Sequence, residues 1–251
     1  MRILKIAYLN ISFYFLAITF LLVCLPALGS LIIIFALILP KRMVLRRLRR
    51  AISWYGAVII GIIPWPLVRL KYKDFSKNKT SPPYLFICNH RSASDPFLLG
   101  VLPYEVVQVV NIWPFRLPVF GMVAKIAGYL NVRELPFEDF FTKTSKLFKE
   151  GVSIAVFPEG TRSRDNSVGQ FHSAIFRVAL EERIPIVPIC ITGNEKIPPV
   201  GSPYLRPGLI KIHRLEALAW EEYKEFSPFK LKNYLRDIMI KETVSMDQSN
   251  V

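Results

Sequence analysis

With 251 residues, the chain has room for one catalytic domain of roughly 150 to 200 residues plus a terminal appendage. Hydrophobic residues make up 52% and mean hydropathy is +0.33, while 33 Lys and Arg against 19 Asp and Glu leave a net charge of +14 and a pI near 9.8; a chain this apolar and this basic suits the acidic face of a bilayer better than nucleic acid. Cys24, Cys88 and Cys190 are scattered thiols with no C-x-x-C pair, which excludes a disulfide-rich secreted scaffold and points to a reducing compartment.

Residues 6–39 carry no charge, but Pro26, Gly29 and Ser30 interrupt the run. The interruption predicts two helices and a turn, dipping into the membrane as a hairpin near 26–30. A second limb over 31–39 would reach only about 14 Å at 1.5 Å per residue, short of the roughly 30 Å hydrocarbon core. The apolar stretch is too long for a signal peptide and is followed by more apolar sequence, so it reads as retained. Lys41, Arg42, Arg46, Arg47, Arg49 and Arg50 then form a basic linker suited to anionic head groups, the alternative being a solvated charge run. Residues 51–67 are apolar again but hold Gly56, Gly61, Pro64 and Pro66, which predicts an interfacial helix rather than a clean span. These segments make up an N-terminal region of 1–67, with the catalytic domain over 68–251.

From Val68 onward, short β-like runs alternate with amphipathic stretches. Residues 68–72, 84–88, 106–110, 129–132, 153–157, 186–191 and 209–212 read as strands, and 119–127, 137–150 and 171–182 as helices, with Gly151 at a helix C-cap. The alternation predicts an α/β domain. A last helix is expected over 230–241, with a frayed tail after Thr243. No repeat of 20 to 50 residues occurs.

Two clusters carry chemistry. Asn89-His90-Arg91-Ser92-Ala93-Ser94-Asp95-Pro96 follows the apolar run ending at Cys88, which puts His90 at a strand end. Pro96 suits an early helical position and Ser92 or Ser94 can cap, so a helix is expected to bring Asp95 back beside the imidazole. A carboxylate on one ring nitrogen leaves the other free to take a proton, a general-base dyad. Phe157-Pro158-Glu159-Gly160-Thr161-Arg162-Ser163 follows a second apolar strand; Gly160 permits close backbone approach and the Arg162 fork matches a phosphate. Ser92, Ser94 and Ser163 lie in no G-x-S-x-G context, and His172 and His213 have no metal-ligand spacing with His90, so neither a hydrolase nucleophile nor a metal site is expected.

The His90-x-x-x-x-Asp95 and Phe157-Pro158-Glu159-Gly160-Thr161-Arg162-Ser163 blocks resemble the signatures of the glycerolipid acyltransferases, the family that includes 1-acylglycerol-3-phosphate acyltransferases. Leu117-Pro118-Val119-Phe120-Gly121 with Arg133 resembles that family's middle block, and Ile184-Pro185-Ile186-Val187-Pro188-Ile189 its closing apolar block. The resemblance, over roughly residues 84 to 191, implies an α/β sandwich around a mixed sheet of about seven strands with an N-terminal two-helix membrane element. It implies transfer of a fatty acyl group to the free hydroxyl of a lysophospholipid, most simply 1-acylglycerol-3-phosphate, giving phosphatidic acid. His90, oriented by Asp95, would deprotonate the hydroxyl for direct attack on the thioester of acyl-CoA or acyl-carrier protein, with no acyl-enzyme and no resident cofactor. Glu159, Gly160, Thr161, Arg162, Arg133 and Arg116 would bind or order the acceptor, and backbone N–H groups near Gly160 would meet the oxyanion.

Where the family often has lysines, this chain has Asn111 and His172. Those departures put the acceptor's identity in doubt, and another lysolipid, such as a lyso amino-acid lipid, is the alternative. A non-catalytic membrane-binding protein of the same fold is the other reading, and intact His90, Asp95 and Glu159 argue against it. The expected location is a bacterial inner membrane with the site on the cytoplasmic face, and the expected partners are membrane lipids, the lysophospholipid and the acyl donor, not nucleic acid.

Overall fold

The β-branched and apolar runs form the seven expected strands: β1 (Val68–Asp74), β2 (Leu85–Cys88), β3 (Val106–Val110), β4 (Leu130–Asn131), β5 (Ser153–Val156), β6 (Ile186–Thr192) and β7 (Gly208–Arg214). The structure is a computed structural model and describes residues 2–77, 80–111, 116, 120–132 and 135–249. Strand order in the sheet is β1-β7-β6-β2-β5-β3-β4. β2 lies between β5 and β6, parallel to both; β3 is parallel to β5 and β4; β6 and β7 are antiparallel, so the sheet is mixed. Every residue of β2, β5 and β6 is buried, which is why their sequences read as continuous apolar runs rather than as alternation.

The helices are α1 (Arg2–Ile38), α2 (Lys41–Ala57), α3 (Asp95–Leu98), α4 (Phe120–Ala127), α5 (Phe137–Lys149), α6 (Ala174–Glu182), α7 (Trp220–Tyr223) and α8 (Pro228–Gln248). Gly151 follows the end of α5, and its φ of +76° is the left-handed conformation expected of a helix-terminating glycine. α8 is longer than its sequence pattern suggested. Ser227 caps it by accepting from Lys230 N, Pro228 opens it, and its buried Leu231, Leu235, Met239, Thr243 and Met246 keep one face inward almost to the end.

Contacts group the chain into two units. The first comprises Met1–Lys71, Ser92–Glu105 and Gly193–Ile210, the second Tyr72–Arg91, Val106–Thr192 and Lys211–Val251, so two later segments group with the N-terminal helices. In the second unit, Phe140, Leu147 and Phe148 of α5, Ile175, Phe176 and Val178 of α6, and Leu231, Leu235 and Met239 of α8 join strand residues in one core. In the first unit, Leu9, Phe13, Leu48, Ile59, Leu98, Leu99, Leu102, Ile197 and Leu205 are buried. There α2 lies so near the α3 segment that a Cβ on Gly56 would sit 2.8 Å from Phe97 O; only glycine allows this approach.

The turn expected at 26–30 is absent. α1 runs unbroken through Pro26, and the two-helix element is instead α1 followed by α2. Pro26 removes one backbone donor, but the remaining bonds persist and Ser30 Oγ donates to Pro26 O at 2.9 Å; apolar helices tolerate such interior prolines. The break falls at Leu39, because Pro40 disfavours helical backbone in the residue before it. The basic linker is likewise helical, as Lys, Arg and Leu favour, and forms the first turns of α2. α2 packs on α1 through Phe20, whose ring stacks on Tyr55 at 5.4 Å. Among the described residues, α1 is the one helix long and apolar enough to cross a membrane.

Candidate active site

β2 and β5 run parallel with Leu85 opposite Ile154 and Ile87 opposite Val156, so the residues just beyond their carboxyl ends emerge side by side. That edge is where open α/β sheets place their ligands. Asn89 extends the line of β2 but makes its bonds through the side chain: Nδ2 donates to Ile191 O at 2.9 Å and Ile191 N donates to Oδ1 at 2.7 Å. The half-buried His90 comes next.

The second block closes on His90 from β5. Glu159 is buried, and its Oε1 accepts from His90 N and its Oε2 from Gly169 N, each at 2.8 Å. Ser163 N donates to His90 O at 2.8 Å, so both polar atoms of the His90 backbone are held by the 157–163 segment. The imidazole lies over Phe157, ring centroids 4.6 Å apart. Gly160 has φ of +71°, and a Cβ there would fall 3.2 Å from His172 Nε2. Its own N–H donates to Phe157 O at 3.1 Å, so that amide is committed to the turn.

Thr161 and Arg162 are exposed, as is Arg116. Just past them, Asp165 Oδ1 accepts from Ser167 Oγ at 2.7 Å, Ser167 N at 3.0 Å and Ser163 Oγ at 3.0 Å. These bonds, the Ser167 hydroxyl's first, hold the Asp165 carboxyl down at about 2 and fix the loop that presents Arg162. Arg133 and residues 117–119 of the middle block lie outside the described residues.

Asp95 opens α3 in the first unit, fully buried. Ser92 N donates to its Oδ2 at 2.9 Å, and Asn194 Nδ2 donates to its Oδ1. The expected serine cap is not what starts the helix: Ser94 makes no side-chain capping bond, and the Asp95 carboxylate holds the turn itself. Ser92 Oγ instead donates to Ile197 O at 3.1 Å and Pro198 O at 2.9 Å. His90 is thus fixed within the second unit and Asp95 within the first.

The basic cluster divides in two. Arg49, 3% exposed, donates to Glu105 at 2.8 Å, and Arg42 forks onto the same carboxylate at 2.7 and 2.8 Å. Arg49 is therefore an internal cation, not a head-group contact. Arg47 stacks over Phe35 at 5.0 Å, while Lys41, Arg46 and Arg50 are exposed. Burial raises the Glu105 pKa, but the bonds and charges of Arg42 and Arg49 outweigh it, and the carboxyl lies below its usual range.

Sequence reasoning missed Asn89, Gly169, Asn194 and Glu105. An asparagine directly after a fully apolar strand was the one available signal, because only a side chain able both to donate and to accept can extend a ladder there.

A family model described as Acyltransferase matches residues 69–192. The chain belongs to the glycerolipid acyltransferase family. A Brassica napus chloroplastic 1-acyl-sn-glycerol-3-phosphate acyltransferase is 28% identical over 71% of this chain and 54% of its own length. The Salmonella typhimurium enzyme of the same name is 25% identical over 65% of this chain and 68% of its own. This chain spans about half the length of the curated plant relatives from Brassica and Cocos nucifera, 54% and 57%. The crystal structure of the 1-acyl-sn-glycerophosphate acyltransferase PlsC from Thermotoga maritima superposes with a TM-score of 0.79 over 98% of both chains at 20% identity, so the two chains share a fold. The family match takes in His90, Asp95 and the Glu159 block and stops before β7 and α8.

Proposed function

We propose that the protein is a membrane-bound O-acyltransferase that moves a fatty acyl group from acyl-CoA or acyl-carrier protein to the free hydroxyl of a lysophospholipid. The observation that carries this reading is the Glu159 bridge, which ties the backbone of a half-buried histidine to the Phe157–Ser163 turn at the carboxyl ends of adjacent parallel strands. His90 takes the hydroxyl proton, the oxygen attacks the thioester carbonyl, and collapse of the tetrahedral intermediate breaks the carbon–sulfur bond. The proton returns from the imidazolium to the departing thiolate, so no acyl-enzyme and no resident cofactor is needed. Asp95 orients the base. For the oxyanion we assign the backbone amides of Thr161 and Arg162, since Gly160's is taken by Phe157 O.

Lysophosphatidic acid is the proposed acceptor, in keeping with the names of the relatives. Arg162, Arg116 and Arg133 supply cations for its phosphate, while Glu159 orders the turn rather than touching the lipid. With Asn111 and His172 in place of two family lysines, acceptor selectivity is expected to be looser than for, or shifted from, a bare phosphomonoester. Lys41, Arg46 and Arg50 of α2, which follow α1 in the chain, are exposed cations that support a bacterial inner-membrane location with the site on the cytoplasmic face. Purified protein incubated with acyl-CoA or acyl-carrier protein and a panel of lysolipids, with products identified by mass, tests the proposal. A diacyl product is expected with lysophosphatidic acid; no acylated product from any pairing overturns the reading.

A further inference from the structure

His90 is gripped through its own N–H and C=O by Glu159 and Ser163, and its downstream neighbour is held by something outside the family match. The Arg91 side chain is 3% exposed and forks onto Asp247, Nη1 to Oδ1 at 3.1 Å and Nη2 to Oδ2 at 2.9 Å. Asp247 stands in the last turn of α8. That turn is firmly seated: Met246 is buried, Lys211 Nζ donates to Met246 O at 3.0 Å and to Ser249 Oγ at 2.8 Å, and His213 pairs with Glu242 one turn earlier.

We infer that Arg91 and Asp247 form a positioning brace for His90, through which the C-terminal helix sets the aim of the imidazole; the inference rests on the acyl-transfer reading above. A histidine that must meet a hydroxyl within hydrogen-bond reach needs its backbone fixed on both sides, because small displacements of a catalytic group cost large factors in rate. The bridge is suited to that task. It is bidentate, which restrains direction as well as distance, and its arginine is buried, unlike exposed ion pairs that contribute little. A buried guanidinium is a poor choice for packing alone, since apolar side chains of similar size fill such space at no desolvation penalty. Asp247 and Arg91 are positioning residues and touch no substrate.

The test uses the full chain in detergent micelles, with Asp247→Asn, Asp247→Glu and Lys211→Met. Lys211→Met loosens the same helix end without touching Arg91. Initial rates with acyl-CoA and lysophosphatidic acid give kcat and acceptor KM, and nitrogen-labelled histidine NMR follows the three imidazoles, His90, His172 and His213, in each variant. Asp247→Asn is expected to lower kcat about tenfold with acceptor KM unchanged and to shift or broaden the His90 ring signal while His172 stays in place. Asp247→Glu restores most of the rate, and Lys211→Met lowers the melting temperature but keeps kcat. Equal effects of Asp247→Asn and Lys211→Met on kcat and on the His90 signal reduce α8 to scaffolding and overturn the brace. If wild-type protein makes no acylated product, the acyl-transfer reading fails by itself; the NMR arm still decides the brace, which falls if Asp247→Asn leaves the His90 signal unmoved.

Discussion

Glu159 is buried and the Glu105 side chain is only 8% exposed, and the protein satisfies the two carboxylates by different means. Glu159, in the second unit, accepts two backbone N–H bonds from His90 and Gly169. Glu105, in the first, is neutralised by Arg42 and Arg49, with Arg46 farther off at 3.9 Å. Backbone donors fix position, because they bind the carboxylate to the chain's own path; guanidinium donors at the ends of long side chains balance charge and tie helices together. The carboxylate that positions main chain lies beside the candidate base, and the one that balances charge lies under the basic helix.

The comparison depends first on His90 being the group that Glu159 serves. His90→Ala is expected to lower transfer by about 10² to 10⁴ while the unfolding midpoint and vesicle binding stay as in wild type. Near-normal turnover in that variant would remove the reason for regarding the Glu159 bridge as catalytic support.

Glu105→Gln is the matching cut in the first unit. It leaves Arg49 buried without a counter-charge, with an expected loss of about 3 kcal/mol in chemical unfolding. Because the folded Glu105 pKa is lowered, its stabilisation is present above the ordinary glutamate value of about 4.3 and is lost as the pH falls through the folded value. Wild type should therefore lose stability on acidification below about pH 4 in excess of Glu105→Gln. Parallel acid profiles would show that the arginines do not control this carboxylate.

Glu159→Gln sharpens the contrast, since the amide keeps the shape but turns an NH2 toward one of two backbone donors. Leaving one buried N–H unsatisfied is expected to cost about 1 to 3 kcal/mol, and loosening the His90 backbone should lower kcat while acceptor KM holds. A rise in acceptor KM alone would mean that Glu159 contacts the lipid directly.

All seven strands and the order of the family blocks were legible because fully apolar runs bounded by Gly, Pro and polar residues leave few other solutions. The path of α1 was not: Pro26 reads as a helix breaker, whereas the helix runs through it with Ser30 Oγ donating to Pro26 O. The pairing of Arg49 with Glu105 was equally hidden, because the partners lie 56 positions apart and a run of arginines looks the same whether it faces solvent or a carboxylate. In the site, Glu159 was legible as a motif member but its bond to the His90 amide was not, since that depends on the register of β2 against β5.

The smallest expected effect concerns Arg162, exposed on the loop that Asp165 fixes with its serine bonds. Unlike Arg49, it pairs with no buried carboxylate among the described residues, so its removal should leave stability within about 0.5 kcal/mol of wild type. On the proposed reading, a bidentate contact from Arg162 to the acceptor phosphate would form in the ground state and change little as the hydroxyl attacks. Its loss therefore weakens ground and transition states alike and raises acceptor KM with kcat nearly constant. Lysine keeps the charge but not the planar fork, so Arg162→Lys should fall between wild type and Arg162→Ala, each step a few-fold in KM on the order of 1 kcal/mol. The decisive control is the second substrate. If Arg162→Ala raises the KM of the acyl donor instead of the acceptor, the loop faces the thioester carrier, and the phosphate of the lysolipid must be held by Arg116 or elsewhere.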